Sequence, residues 1–260
     1  MNKTESTPAR VAVVTGGAGG LGQVISEVLL NDGFRVAMLD LDSEHLKSAI
    51  SKLPEQFQGN VLPLETDITE EASVHRALAA VDSHWGRLDA LINNAGIEIG
   101  SKLTDVNMLD WERTFSVNVA GPMRLIKHAL PFWLRQQEGT VVSIGSRTWL
   151  SGSDDAAYAS SKAAIVGLMR SVAFGLGPLG VNANVVAPSF VRTPLNSSKG
   201  SQEYVEDYAR QFEAMTPLRR LIEPVDVANA VAFLASRRAR NITGEVLHVA
   251  AGSQMAPAIR

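Results

Sequence analysis

The sequence contains no cysteine among its 260 residues, which excludes disulfide bridges, thiolate nucleophiles and zinc sites that need sulfur, but leaves the cellular compartment undecided. An excess of charge of one sign is also missing, because 24 basic residues face 27 acidic ones and the net charge is −3. That balance leaves no electrostatic case for nucleic acid or an anionic membrane as a partner. No metal site is predicted, because metal-ligand spacing is lacking among the histidines, which are His45, His75, His84, His128 and His248.

Long hydrophobic runs are absent as well. No uninterrupted apolar stretch approaches the ~18 residues that a membrane-spanning helix needs. Residues 1–10 lack the apolar region of a signal peptide. These absences predict a soluble protein that is cytoplasmic by default. Hydrophobic residues make up 45% of the chain and charged residues 20%, an ordinary globular balance that can bury a substantial core.

Short β-branched runs alternate with segments of helical periodicity along the chain. The predicted strands are residues 11–14, 34–39, 61–64, 88–93, 140–144, 181–186 and 245–249. The predicted helices are residues 20–31, 43–52, 70–85, 111–135, 157–176 and 225–236. Strands that are apolar on both faces belong inside a parallel sheet with helices on each side. The sequence therefore predicts a flexible tail at residues 1–9 and, over residues 10–260, a single doubly wound, Rossmann-type α/β domain with a roughly seven-stranded parallel sheet.

A glycine-rich turn follows the first predicted strand and opens directly into a helix. The glycines of Thr15–Gly22 allow a tight turn and let a pyrophosphate approach the helix N-terminus, where free N–H groups attract anions. Many glycine-rich turns are simply turns. Here, however, Asp40 ends the following strand, about 20 residues further on, which is the context that dinucleotide binding requires. The combination predicts a dinucleotide site.

From Arg10 to Gly252 the chain resembles the short-chain dehydrogenase/reductase family, in its compact single-domain branch. The resemblance depends on motifs that occur in order and at the family's distances. They are the T-G-x-x-x-G-x-G turn at Thr15–Gly22, Asp67, Asn93-Asn94-Ala95-Gly96, Asn118, Ser146, Tyr158 with Lys162, Pro188 followed by Thr193, and Ile242-Thr243-Gly244. Each motif alone could arise by chance, whereas the ordered set could hardly do so.

The resemblance implies a nicotinamide dinucleotide cofactor, and Asp40 favours NAD(H). A carboxylate there accepts hydrogen bonds from the adenine ribose and repels a 2′-phosphate. Neither Leu41 nor the glycine turn offers the Arg or Lys that a phosphorylated cofactor needs. The cofactor site implied comprises Gly16, Gly20, Leu21, Gly22, Asp40 and Leu41, then Asp67 and Ile68 flanking the adenine, Asn94, Ala95 and Gly96 beneath the cofactor, and Tyr158, Lys162, Pro188 and Thr193.

Tyr158 and Lys162 are four residues apart in a helical pattern, so their side chains share one face. Alone, such a pair is usually an exposed helix pair. The family resemblance makes Tyr158 the proton donor and acceptor for the substrate oxygen, with its pKa lowered by Lys162 and by an oxidised nicotinamide. Ser146 follows the fifth strand without a signalled base partner, so we expect it to donate to a substrate carbonyl. The family uses Asn118 to hold a water that relays protons through the lysine.

Some positions depart from the family pattern at the substrate end. Ser189 replaces a frequent glycine, residues 249–252 read V-A-A-G, and Arg147 directly follows the serine. A lid is predicted at residues 193–217, and the substrate is expected to be a medium-sized, partly apolar alcohol or ketone. Predicted substrate contacts are Glu98, Arg147, Thr148, Trp149 and Phe190, with Leu195, Tyr204, Tyr208 and Phe212 from the lid. Alternatively, Trp149 belongs to the core and Arg147 is solvated or paired with a carboxylate.

These patterns predict an NAD(H)-dependent oxidoreductase that interconverts a secondary alcohol and a ketone. One alternative is an epimerase or dehydratase of the same superfamily, which usually carries a further C-terminal substrate region. Another is a non-catalytic dinucleotide-sensing protein, which would be expected to have lost Ser146, Tyr158 or Lys162. The family's usual assembly implies a homotetramer in which the helices predicted at 111–135 and 157–176 contact a second copy.

Overall fold

The computed structural model describes residues 9–100, 102–191 and 202–255. Its strands form one parallel sheet of seven strands in the order β3-β2-β1-β4-β5-β6-β7, which confirms the predicted fold class. The strands are β1 (Val11–Thr15), β2 (Arg35–Asp40), β3 (Val61–Glu65), β4 (Ala90–Asn93), β5 (Gly139–Ile144), β6 (Val181–Pro188) and β7 (Val246–Val249). Residues 1–8 of the predicted tail lie outside the described residues.

Helices connect the strands and cover the sheet. They are α1 (Gly20–Asn31), α2 (Ser43–Ser51), α3 (Glu55–Gln58), α4 (Glu71–Trp85), α5 (Met108–Phe115), α6 (Gly121–Gln136), α7 (Thr148–Ser151), α8 (Ala156–Leu176), α9 (Gln202–Met215) and α10 (Pro224–Ala235). The short helices α3 and α7 have too few residues to show a helical period, so the sequence pattern did not predict them.

The sheet separates two hydrophobic cores. In β1 the side chains alternate, with Val11 and Val13 in one core and Ala12 and Val14 in the other, as the two-residue period of a strand requires. Buried residues of α1, α2 and α10 complete the first core, and those of α4, α6 and α8 complete the second. The continuous apolar strand runs therefore reflect burial on both faces.

The strand order reverses between β1 and β4, which lie side by side although two strands separate them in sequence. From β1 the chain builds outward to β2 and β3, then returns to β4 and builds the other way. The connections that leave the carboxyl ends of β1 and β4 therefore diverge and open a crevice, the place where such sheets bind ligands. The glycine turn and the Asn93–Gly96 loop both start at this crevice.

The helix predicted over residues 111–135 is not continuous, and this prediction was wrong in detail. A π-helical turn, Ser116–Ala120, separates α5 from α6. Pro122 has no N–H to donate to the carbonyl four residues earlier, which weakens the regular helix at this point. The wider turn carries Asn118, whose side chain is buried at 2% exposure.

One helical stretch, Ala156–Leu179, is long and apolar enough by length and composition to cross a membrane, with a mean hydropathy of 1.2. No run of apolar residues had suggested this, because polar residues such as Ser161 and Lys162 interrupt it. In the fold, α8 packs its side chains Ile165 and Met169 into the second core. We therefore interpret it as a helix that covers the sheet.

Candidate active site

The turn between β1 and α1 is clamped against the loop that follows β4. The Thr15 hydroxyl accepts from the N–H groups of Asn94 and Ala95, both at 3.0 Å, and the Asn94 side chain donates to the Thr15 carbonyl at 2.9 Å. Gly16 has φ = +62°, and a Cβ on it would lie 3.0 Å from Asn94 Nδ2. A Cβ on Gly22 would overlap the carbonyl oxygen of Gly16. Only glycine fits these two positions, so bare backbone and the first N–H groups of α1 border the crevice.

Two adjoining cavities meet along this turn. The first, about 350 Å³, is lined by the glycine turn together with Ser146, Tyr158 and Lys162. The second, about 610 Å³, is lined by Asp40 and Asp67 and by residues of α5. Some residues border both cavities, which makes them one cleft along the carboxyl ends of the strands; they are Gly16, Ala95 and Gly96.

Asp40 is fixed beside the glycine turn. Its Oδ2 accepts from the N–H of Ala18 at 3.0 Å, and its Oδ1 accepts from the N–H of Leu41 at 2.8 Å. The Leu41 side chain is 65% exposed and carries no charge. The carboxylate therefore contributes a negative charge to the second cavity, and Arg113 of α5 lines the same cavity.

The turn after β3 supplies another wall of the second cavity. The Asp67 carboxylate accepts from the N–H and the hydroxyl of Thr69, at 2.8 Å and 2.7 Å, and so shapes this turn. Ile68 is buried, and a Cβ on Gly121 would lie 2.7 Å from its Cδ1. Both predicted adenine-flanking residues thus line the cavity, one through a fixed carboxylate and one through an apolar side chain.

Helix α8 begins at the first cavity and carries Tyr158 and Lys162 into it. Asp155 caps the helix, because its Oδ1 accepts from the N–H of Tyr158 at 2.9 Å while its Oδ2 accepts from the N–H of Gly100 at 2.8 Å. Lys162 Nζ donates to the carbonyl of Ile144, at the end of β5, at 2.9 Å and lies 5.4 Å from the centroid of the Tyr158 ring. The cap and the buried ammonium fix the start of α8 against the end of β5.

The ionisation of this pair in the protein alone is governed mainly by burial. Burial raises the pKa of Tyr158 because it makes the phenolate costly, the negative charges of Glu98 and Asp155 raise it further, and a hydrogen bond with Ser146 opposes the rise. Burial lowers the pKa of Lys162 to about 8, against the influence of Glu98. The lowering of the tyrosine pKa that is expected with an oxidised nicotinamide bound stays a prediction.

Asn118 reaches the cleft from the π-helical turn. Its Oδ1 accepts from the N–H of Ile97 at 2.8 Å, and its Nδ2 donates to the Ile97 carbonyl at 2.9 Å and to Ser161 Oγ at 3.0 Å. A Cβ on Gly96 would lie 3.3 Å from Asn118 Oδ1 and 3.4 Å from Lys162 Nζ. Asn118 therefore holds the Asn93–Gly96 loop in place, and its role in a water relay stays a prediction.

The predicted substrate residues do not all reach the first cavity. Glu98 lines it, but the described lining does not include Arg147, Thr148, Trp149 or Phe190. Trp149 Nε1 donates to His248 Nε2 at 3.1 Å and the two rings stack, so it contacts the edge strand β7 and not the cavity. This corresponds to the alternative in which Trp149 packs in the protein, because sequence spacing does not determine where a side chain points.

The lid predicted at residues 193–217 stays a prediction, and the structure describes only part of that segment. Thr193, Leu195 and the side chain of Tyr204 lie outside the described residues. Helix α9 is present, and its residues Tyr208 and Phe212 form an aromatic cluster with Phe190, at ring-centroid distances of 5.1 to 6.1 Å. These rings pack on one another, so α9 is joined to the segment that follows β6.

Several lining residues were missed by sequence reasoning. In the first cavity, Ile144, Gly145, Ser189 and Val191 join the predicted residues. The sequence could have indicated them by their position, because each lies within three residues of Ser146 or Pro188. Residues of α5 and of the π-helical turn complete the second cavity, and the helical pattern gave no sign of their direction; they are Leu109, Glu112, Arg113, Ser116 and Val117.

The donor set fits a dinucleotide. Glycines leave room for a phosphate at the N-terminus of α1, Asp40 offers acceptors where a ribose would lie, and Lys162 offers an ammonium at the far end of the cleft. Among the described residues, no group of three or more His, Cys, Asp or Glu side chains is arranged to hold a metal ion. The cleft can therefore align a hydride-carrying cofactor with a proton-donating tyrosine.

Comparison with known proteins agrees with this geometry. A family model described as "Enoyl-(Acyl carrier protein) reductase" matches residues 16–254. Together with the fold and the cleft, this match shows that the chain belongs to the short-chain dehydrogenase/reductase family of oxidoreductases.

Its relatives include enzymes with different substrates. The chain is 32% identical to the (2S)-[(R)-hydroxy(phenyl)methyl]succinyl-CoA dehydrogenase subunit BbsD of Thauera aromatica, over 95% of this chain and 97% of that protein. It is also 32% identical to the 3-oxoacyl-[acyl-carrier-protein] reductase FabG of Aquifex aeolicus, over 94% and 96%. The crystal structure of levodione reductase superposes with a TM-score of 0.89 at 28% identity, over 96% of this chain and 99% of that one.

Proposed function

We propose that the protein is an NAD(H)-dependent oxidoreductase that interconverts a secondary alcohol and a ketone. The observation that carries this proposal is the first cavity, where the glycine turn lies in one wall and Ser146, Tyr158 and Lys162 lie in another. A cofactor seated on the turn and a carbonyl bound at Ser146 would share one enclosed space. Proximity of this kind is what hydride transfer requires.

The proton chemistry follows from the two hydroxyls. The hydroxyl-bearing residues Tyr158 and Ser146 both line the first cavity, so a substrate oxygen placed between them would receive hydrogen bonds from both. In ketone reduction, the phenol gives its proton to that oxygen; in alcohol oxidation, the phenolate takes it back. The hydride at the substrate carbon would be supplied or accepted by a nicotinamide dinucleotide bound along the glycine turn. Ser146 stays a donor throughout, since its role needs no base.

Lys162 stabilises the deprotonated tyrosine during this exchange. Its ammonium lies 5.4 Å from the ring centroid and is held by the Ile144 carbonyl. With a pKa of about 8, it changes protonation within reach of neutral pH and can pass a proton inward. The same ammonium would hold the nicotinamide ribose, which gives the residue two functions. Asn118 positions the Asn93–Gly96 loop beside Lys162 through its hydrogen bonds to Ile97.

The preference for NAD(H) is supported by Asp40. Its carboxylate is fixed by Ala18 and Leu41 beside the glycine turn, where the adenosine ribose of a bound dinucleotide would lie and a 2′-phosphate would meet a negative charge. The test is the ratio of the Kd values of NADH and NADPH, measured by the quenching of tryptophan fluorescence. We expect NADH to bind at least about tenfold more tightly. Equal affinities, or tighter NADPH binding, would refute the NAD assignment.

The substrate proposed is a medium-sized, partly apolar alcohol or ketone. Ile144, Pro188 and Val191 give the first cavity apolar walls, which suit a partly apolar substrate. A panel of alcohols and ketones of graded size and polarity, followed by NADH absorbance, tests both the reaction and the substrate class. Absence of turnover across the panel, with NADH bound, would count against the proposed reaction.

We also propose a soluble, cytoplasmic homotetramer. The outer face of α8 is uncovered in one chain, with Phe174 90% exposed, and α6 exposes Met123 and Leu134. Large exposed apolar side chains on neighbouring helices favour isologous contacts with a second copy. Sedimentation at micromolar concentration tests the assembly, and Phe174→Asp should lower the association state. A stable monomer of the unaltered chain would refute it.

A further inference from the structure

Arg147 connects three segments that are distant in sequence. Its backbone N–H donates to the Pro188 carbonyl at 2.9 Å, which joins the end of β5 to the end of β6. Its guanidinium donates to the Ser253 carbonyl at 3.4 Å and lies 5.1 Å from the centroid of the Phe212 ring in α9. One side chain thus meets both the lid helix and the turn after β7. Its position in sequence, directly after Ser146, makes these contacts relevant to the reaction.

Phe212 is the centre of this arrangement. It is buried at 4% exposure, and its ring contacts Phe190 at a centroid distance of 5.9 Å as well as Arg147. Phe190 lies between Ser189 and Val191, which both line the first cavity. A shift of α9 would therefore change the first cavity at two places. Through Phe190 it would move Ser189 and Val191, and through Arg147 it would move Ser146.

The charge on Arg147 is not used in an ion pair within the described part of the chain, where its contacts are a carbonyl and an aromatic face. A guanidinium over an aromatic ring is attracted by the ring's negative face. Three buried polar atoms of neighbouring residues lack a hydrogen-bond partner among the described residues: Thr148 Oγ1, Ser253 Oγ and Gln254 Oε1. Unpaired buried polar atoms contribute no hydrogen bonds between the loop after β5 and the turn after β7. The contact between Arg147 and Phe212 therefore contributes more to holding these segments together.

We infer that Arg147 is a positioning residue that couples the seating of helix α9 to the placement of Ser146. When α9 packs down, Phe212 fixes the guanidinium, and Arg147 in turn fixes the loop that presents the Ser146 hydroxyl to the substrate carbonyl. Ser146 Oγ accepts from the N–H of Thr148 at 3.2 Å, so the same loop also orients the serine directly. The inference deepens the proposed function and rests on it for the role of Ser146.

The test compares five variants of the full-length protein. Arg147→Met keeps an unbranched apolar stem without charge, Arg147→Lys keeps a charge without the planar fork, and Phe212→Leu removes the ring. The double variant Arg147→Met/Phe212→Leu completes a double-mutant cycle. Arg76→Met removes an exposed arginine of α4 and serves as the matched control.

We expect Arg147→Met to raise the KM for the ketone by about 2- to 30-fold and to lower kcat, while the Kd of NADH changes less than about twofold. Phe212→Leu should do the same, the double variant should be no worse than either single one, and Arg147→Lys should recover part of the loss. Arg76→Met should behave like the unaltered protein. Additive effects in the cycle, or unchanged KM and kcat in Arg147→Met, would overturn the inference.

A second measurement separates positioning from general damage. Hydrogen–deuterium exchange should increase in Arg147→Met for peptides covering residues 203–215, with no change for β1 and α1. Faster exchange throughout the sheet would show a merely structural role and would overturn the inference, as would unchanged exchange in residues 203–215. This readout needs no turnover. If the unaltered protein binds NADH but reduces no ketone, the proposed function fails while the coupling is still tested.

Discussion

At the cofactor end of the cleft the walls are backbone, whereas at the substrate end they are side chains from distant elements. The glycine turn and the Asn93–Gly96 loop are joined by hydrogen bonds of 2.9 to 3.0 Å between neighbouring strands, and a Cβ at Gly22 would overlap main-chain atoms. The substrate end is held by a ring-to-guanidinium contact between Arg147 and Phe212. A wall made of main-chain atoms is rigid and tolerates few substitutions. The side chains that form the other wall can be substituted without altering the sheet.

This difference predicts that substitutions at the two ends change different quantities. The cofactor end should govern the affinity for the dinucleotide, and the substrate end should govern KM and the choice of substrate. Tyr158 stands where both ends meet, and it should govern turnover alone.

The largest effect is expected for Tyr158→Phe, which removes one hydroxyl and keeps the ring. Turnover should fall by about 10²- to 10⁴-fold because the proton donor is gone, while the Kd of NADH changes less than about twofold. Steady-state kinetics and fluorescence titration check both quantities. Ser83→Ala, which removes an exposed hydroxyl from α4, is the control and should keep kcat within about threefold. Near-normal turnover of Tyr158→Phe would contradict the mechanism.

Gly22→Ala should be the most damaging single methyl group at the cofactor end. The added carbon would overlap the Gly16 carbonyl, so the turn must open, with a stability cost of about 1–3 kcal/mol and a loss of NADH affinity of at least about tenfold. Thermal unfolding and titration with NADH measure the two effects. Gly59→Ala is the matched control, because a Cβ there meets nothing within 4 Å. If both variants bound NADH equally well, the turn would not be the binding element.

Asp40→Asn tests the charge at the same end without changing the shape. The amide keeps an acceptor for the Ala18 N–H, so the fold and NADH binding should change little. Removal of the repulsion should narrow the NADH-to-NADPH affinity ratio by about 3- to 30-fold, and strong NADPH binding should still need an added arginine. Ratios of Kd values give the result. An unchanged ratio would mean that Asp40 does not select the cofactor.

The smallest effect concerns pH. The charge of Glu98 raises the pKa of both Tyr158 and Lys162, so Glu98→Gln should lower both and move the alkaline limb of the kcat profile to lower pH. Asp155→Asn is less informative, because it also removes the cap of α8. A pH profile of Glu98→Gln that coincides with that of the unaltered enzyme would exclude Glu98 from the electrostatics of the site.

Lys162 also links pH to stability. Its folded-state pKa of about 8 lies below its ordinary value of 10.5, so between these values the unfolded chain binds more protons. The free energy of unfolding should therefore rise from pH 8 to pH 10.5, by a contribution on the order of 1–3 kcal/mol that Lys162→Met abolishes. Urea unfolding at pH 7.5, 9 and 10 checks this. A slope that survives in Lys162→Met would assign the effect to another group.

The sequence predicted the elements whose physics is local. Runs such as 11–14 and 181–186 are β-branched and buried on both faces, which gives strands in the correct order along the chain. Glycines at 16 and 22 signal a close main-chain approach, and the structure shows what approaches. In each case, the residue type itself restricts the backbone.

The parts that could not be predicted depend on direction and on long-range contact. Trp149 and Arg147 follow Ser146 as predicted cavity residues, yet one stacks on His248 and the other reaches Phe212, because spacing along the chain does not aim a side chain. The direction of the Tyr158 pKa shift in the protein alone depends on burial from all sides, which no neighbouring pair of residues reveals.

The π-helical turn at Ser116–Ala120 has a consequence for how the chain tolerates insertions and deletions. A π turn amounts to one extra residue in a regular helix, and each residue advances a helix by about 100°. Deleting one residue there would bring α5 and α6 to regular helical spacing, although Pro122 would still interrupt the hydrogen bonding at their junction. The same deletion would rotate Asn118 away from Ile97 and Ser161 and release the loop that carries Gly96. We expect a chain one residue shorter at this point to keep its fold and to lose the hydrogen bonds by which Asn118 holds the active-site loop.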